Sequence, residues 1–76
     1  MRVEFFGVPR ERAGVSEAEV EAATLGQLFD ELEARFADFS GPAFAANLNG
    51  DRFVSDRATP LRREDCVLIL SADAGG

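Results

Sequence analysis

The stretch Cys66, Val67, Leu68, Ile69, Leu70 is the longest clear apolar run in the chain, and its reading decides the fold. Five residues fall far short of the ~20 needed to span a bilayer. They suit a strand whose two faces are both covered, placed in the middle of a sheet and beside the first strand. Parity along the run separates Val67 and Ile69 from Leu68 and Leu70, which point the opposite way.

Working outward, Val3 and Phe5 alternate with Arg2 and Glu4, and Phe6 closes the run before Gly7 and Pro9 break it. This is a first strand with one buried face. Residues 9–15 hold two Arg, a Glu and Gly14 and read as a loop. Glu17, Glu19 and Glu21 then alternate with Ala18, Val20 and Ala22 as a second strand. Thr24, followed three residues later by Gln27, is a capping-box signature that starts a helix. Leu25, Leu28, Phe29, Leu32 and Phe36 form its apolar stripe. Gly26 in its first turn reads as a mild weakness, and Gly41 and Pro42 stop the helical region. Phe44 to Leu48 leads into Asn49 and Gly50, a pair suited to a tight hairpin turn, from which Phe53 and Val54 return. Residues 56–65, with Pro60, read as a turn-rich connection. Strand, strand, helix, strand, short strand, strand predicts an α+β fold, the β-grasp or ubiquitin-like roll, with a mixed sheet and one main helix. Residues 1–76 read as a single domain whose flexible tail is 71–76.

Composition narrows the chemistry. With 76 residues, only one small domain with a modest core is expected. A net charge of −6 with scattered basic residues disfavours nucleic acid and favours a basic protein partner. The eight basic residues are all Arg, which leaves no side-chain amine for linking copies of the chain to one another. The single Cys cannot form an internal disulfide, and Arg2 and Glu4 break any signal-peptide core. The chain therefore reads as cytoplasmic, with no membrane contact. With His absent and Cys66 unaccompanied, triads and zinc sites are excluded. Glu17, Glu19 and Glu21 read as a solvated strand face, and Asp30, Glu31 and Glu33 as the wet side of the helix, so no metal site is assigned. Cys66 reads as core filler.

The chemistry points instead to the end of the chain. With seven Gly in 76 residues, a chance Gly75 and Gly76 ending is roughly a 1% event. Two residues without Cβ make a thin thread that can enter a narrow tunnel. Six extended residues, 71–76, reach about 20 Å, so the globule can dock outside while Gly76 sits in a partner's site, approached through Ala74 and Gly75. A free carboxylate is a poor electrophile, so a partner must adenylate it with ATP and magnesium. Sulfur transfer would then leave a thiocarboxylate. If Val3, Phe5, Val67 and Ile69 face the helix, then Phe6, Leu68 and Leu70 form an apolar docking face. In the alternative, Phe6 folds into the hairpin loop and only the Leu pair is exposed.

Phe5 and Phe6, then Arg10, Glu11 and Gly14, Asn49, Gly50 and Asp51, Pro60, Leu61 and Asp65, and the Gly75 and Gly76 ending form an ordered pattern. In this pattern the chain resembles the small subunits of molybdopterin synthase, within the wider MoaD and ThiS sulfur-carrier family, over essentially its full length. The resemblance implies that Gly76 is adenylated by an E1-like adenylyltransferase of the MoeB or ThiF type and converted to a thiocarboxylate. It also implies insertion into the large synthase subunit, of the MoaE type, to donate sulfur to cyclic pyranopterin monophosphate. The molybdopterin branch commonly has a Pro-rich approach to the glycines, whereas this chain has Ser71, Ala72, Asp73 and Ala74. Acceptors in thiamine, cysteine or transfer-RNA thiolation stay open, as does a role as protein modifier or plain interaction module.

Overall fold

The computed structural model describes residues 1–40 and 43–71. Strand β1 (Arg2–Phe5) is followed by helix α1 (Val8–Ala13), strand β2 (Glu17–Glu19), helix α2 (Leu25–Arg35) and strands β3 (Phe44–Leu48), β4 (Arg52–Val54) and β5 (Cys66–Ser71). The five strands form one sheet in the order β2-β1-β5-β3-β4. As expected, the last strand is central. It runs parallel to β1, from Arg2 opposite Cys66 to Phe5 opposite Ile69, and antiparallel to β3.

The inner face of the sheet supplies Val3, Phe5, Ala46, Leu48, Val67 and Ile69 to a core shared with Leu25, Leu28, Phe29 and Leu32 of α2. Complete burial of a large aliphatic side chain contributes roughly 1.5 to 3 kcal/mol, so this stripe is the principal cohesive element. At one end of the core, the Phe5 ring meets Phe36 and Phe39 edge-on, each with centroids 5.9 Å apart, and Phe39 lies 5.2 Å from Phe44.

Three expectations are corrected. Residues 9–15 are not a loop, because α1 occupies Val8–Ala13, with Pro in its first turn and Pro9 and Ala13 buried. Gly14 ends that helix in the left-handed region (φ 76°), where a side chain would be strained. Strand β5 is covered on one face only: Val67 and Ile69 belong to the core, while Leu68 and Leu70 are half-buried and outside it. Cys66 is not core filler. It pairs with Arg2 on the outer face, half-buried, and its Sγ donates to Glu4 Oε1 at 3.6 Å.

Gly26 is a contact point rather than a weakness. The first turn of a helix leaves unpaired N–H groups, and here each finds an acceptor. Leu25 N–H donates to Thr59 O and Gly26 N–H to Arg57 O, both at 2.9 Å. Gln27 N–H donates to Thr24 Oγ1 at 3.2 Å, while Gln27 Oε1 accepts from Ala23 N–H at 2.9 Å, completing the capping box. Arg57 then lies over the glycine, donating to both carboxylate oxygens of Asp30 at 3.0 and 2.9 Å and to Gly26 O at 3.3 Å. A Cβ on Gly26 would stand 3.1 Å from Arg57 Cβ and 3.0 Å from its Nε.

A second long-range clamp joins the β3–β4 turn to the start of β5. Asn49 (φ 58°) and Gly50 (φ 69°) both occupy the positive region that this turn requires. The Asn49 Oδ1 accepts from Cys66 N–H at 2.8 Å, and its Nδ2 donates to Asp65 Oδ1 at 3.0 Å. Asp65 Oδ2 accepts from Arg62 N–H at 2.8 Å. The Asp65 carboxyl is held below its usual value, first by Asn49 and then by the Arg62 N–H.

Two outcomes follow from these contacts. Gly26→Ala gains helix propensity of about 1 kcal/mol, yet it should lower the urea midpoint because Arg57 must move. In an Arg57→Gly background, which removes the Cβ as well as the guanidinium from the contact, the same change should raise it, a non-additivity that a double-mutant cycle measures. Asp65 has a depressed folded pKa, so its stabilisation is fully present above the unfolded value near 3.9 and is lost as pH falls through the folded value. Asp65→Asn should therefore be less stable than the parent at neutral pH, and the gap in urea midpoint should close on acidification below about pH 4.

Candidate docking face and tail origin

The outer face of the sheet follows from strand register, since directly paired residues share a face. One row runs Glu17, Glu4, Leu68, Asn47, Phe53 across all five strands. The next row towards the end of β5 holds Leu70 opposite Ala45. Phe6 N–H donates to Ile69 O at 3.0 Å, which carries the β1–β5 ladder one step further and brings Phe6 alongside Leu70. Leu68 and Leu70 thus share the outer face, and the Phe6 backbone lies beside Leu70 at its edge.

Phe6 is 64% exposed and borders an open hollow formed by the β1–β2 connection, with Val8, Arg10 and Val15. Phe53, at 66% exposed, extends the apolar surface to the β4 edge. The sequence reading did not include Phe53, Ala45 or Asn47. Antiparallel register from the Asn49 and Gly50 turn could have set Phe53 opposite Asn47, whereas the pairing of Asn47 with Leu68 and of Ala45 with Leu70 belongs to the β3–β5 ladder between segments remote in sequence.

The opposite flank is charged. Arg2 lies 3.5 Å from Glu4 and 3.8 Å from Glu17. Its guanidinium is held above its usual value, first by the Cys66 sulfur and then by Glu4, and it stays cationic throughout. These exposed pairs contribute little to stability and leave an acidic rim beside the apolar rows. Among the described residues, no three His, Cys, Asp or Glu side chains are grouped to hold a metal ion, and no helix is long and apolar enough to cross a membrane.

Strand β5 also delivers the tail. Ser71, expected to open the tail, is the last residue of β5 and pairs with Phe44 of the aromatic cluster. Ala74, Gly75 and Gly76 lie outside the described residues, as do Gly41 and Pro42. The tail therefore originates from the central strand, one residue beyond Leu70; β3 pairs with β5 as far as Ser71, and the β1 side holds it as far as Ile69.

The profile of the ThiS family matches residues 3–76. The chain belongs to the ThiS family. Solved structures agree with this ThiS-family assignment. The Pyrococcus furiosus chain described as molybdopterin converting factor, subunit 1, is 26% identical over 92% of this chain and 93% of that one, with a TM-score of 0.78. A chain in the complex of subunits 1 and 2 of the molybdopterin-converting factor of Helicobacter pylori 26695 is also 26% identical, over 99% and 96%, with a TM-score of 0.62. SAMP1 of Haloferax volcanii, at 17% identity over 99% and 97% and a TM-score of 0.75, shares the fold. No curated protein sequence matched. The ThiS-family chain is thus a β-grasp member of the MoaD and ThiS sulfur-carrier group.

The two faces of β5 should respond differently to substitution. Ile69→Ala should cost ~2 to 5 kcal/mol, as expected for a large-to-small change in a core. Leu68→Ser and Leu70→Ser should each cost less than half of that change in chemical denaturation.

Proposed function

We propose that this chain carries sulfur on its C-terminal glycine for molybdopterin formation. The observation that supports the reading most directly is the continuity of β5, which bears Leu68 and Leu70 on the outer face and then leads into residues 72–76. A partner that grips the outer face receives the tail in a set direction. The family match and the 26% likeness to molybdopterin-converting-factor subunits support the same reading.

In the first step a Gly76 carboxylate oxygen attacks the α-phosphorus of ATP on an E1-like enzyme, with magnesium supplied there, and pyrophosphate leaves. A sulfur nucleophile at the sulfide oxidation level then attacks the acyl carbon and expels AMP, leaving a thiocarboxylate. The chain has no His, and the Cys66 thiol stands at the start of β5, at the other end of the strand from Ser71, so in this reading the carrier contributes position and the partners contribute chemistry. A large subunit of the kind found in the Helicobacter pylori complex is the proposed second partner, docked on Phe6, Leu68 and Leu70. The acidic rim of Glu4 and Glu17 fits a basic border on that partner.

Co-expression with the activating enzyme, followed by intact-mass measurement, should reveal a species with one oxygen replaced by sulfur. Deleting Gly75 and Gly76 should abolish that species while leaving the unfolding midpoint nearly unchanged. A persistently unmodified full-length chain would sink the proposal.

A further inference from the structure

Asn47 occupies the middle of the outer face. Register sets it beside Leu68 on one side and Phe53 on the other, in a row otherwise apolar until Glu4. Its Oδ1 is shielded from solvent and has no hydrogen-bond partner among the described residues. Buried polar atoms are nearly always paired, because an acceptor withdrawn from water without a replacement donor carries an uncompensated desolvation penalty. In the free chain Asn47 is therefore a liability that an apolar residue would remove.

We propose that Asn47 is the polar specificity determinant of this face, and that the docked large subunit delivers an N–H or O–H donor to its amide oxygen. The inference rests on the docking reading above and names what that partner must present. Water does not compete for the oxygen, so a donor that reaches it forms a hydrogen bond without stripping a hydrated acceptor. Phe53, two-thirds exposed, flanks the amide and has room to turn aside as the partner enters. The same geometry discriminates. A wholly apolar surface pressed on Leu68 and Phe53 would bury the amide permanently unpaired, and specificity of this sort arises from penalising the wrong partner. The matching surface is accordingly an apolar patch with one donor at its centre and basic residues on the side that meets Glu4 and Glu17.

Titration calorimetry of the full chain against the large subunit encoded in the same genome, combined with thermal unfolding of the free chain, tests the proposal. Asn47→Leu should raise the thermal midpoint, since the unpaired acceptor is gone, yet weaken binding by about tenfold or more, equivalent to ~1.4 kcal/mol. A purely structural residue would not move these two readouts in opposite directions. Leu68→Glu serves as the control for the face itself. If the parent chain does not bind, or Leu68→Glu binds as the parent does, the docking reading fails and Asn47 falls with it. If Leu68→Glu abolishes binding while Asn47→Leu binds as tightly as the parent or tighter, docking stands and the role of Asn47 is overturned. A lower thermal midpoint for Asn47→Leu, together with weaker binding, would mark a structural residue and overturn it too.

Discussion

The parallel pairing of β1 with β5 is the constraint on which the rest of the molecule depends. Val3 and Phe5 reach the core only because Val67 and Ile69 stand beside them in register. Parallel strands require a long crossover, and here the crossover contains the remaining elements of the chain. The helix α2 covers the inner face, and the β3–β4 hairpin fills the place on the other side of β5. A one-residue slip of β5 would exchange Val67 and Ile69 for Leu68 and Leu70, moving the core set to solvent and the outer-face set into the core.

That sensitivity explains the polar clamps at the strand ends. Asn49 holds the Cys66 backbone N–H with one atom and Asp65 with another, so the hairpin turn sets where β5 begins. Arg57 and Thr59 supply carbonyls to the first turn of α2, so the connection before β5 also seats the helix. Neither set of bonds is buried deeply, and their value lies in specifying one register rather than in large energies. The aromatic group of Phe5, Phe36, Phe39 and Phe44 does the corresponding task at the far end, where the tail leaves.

Much of this was legible in the sequence. Alternation marked Val3 and Phe5, the spacing of Leu25, Leu28, Phe29 and Leu32 marked the covering helix, and the apolarity of residues 66–70 placed the last strand centrally. What stayed hidden depends on contacts remote in sequence or on segments too short to show a period. A six-residue helix makes fewer than two turns, so the charges of Arg10, Glu11 and Arg12 masked α1. Gly26 looked costly because the side chain that occupies its missing Cβ belongs to Arg57, 31 positions away. Cys66 was assigned to the core from its residue type, although the parity that sets Leu68 and Leu70 on the outer face sets Cys66 there too. The outer-face positions of Leu68 and Leu70 followed from parity, but Asn47 beside Leu68 became visible only with register.

The central position of β5 also has a mechanical consequence. Traction applied beyond Ser71 acts along the strand axis, and the ladders to β1 and β3 lie on either side of that axis. Such a load shears both rows of hydrogen bonds at once instead of peeling them one by one, and the force is shared across the width of the sheet. A partner can therefore tug on the last residues without unravelling the body from which they extend.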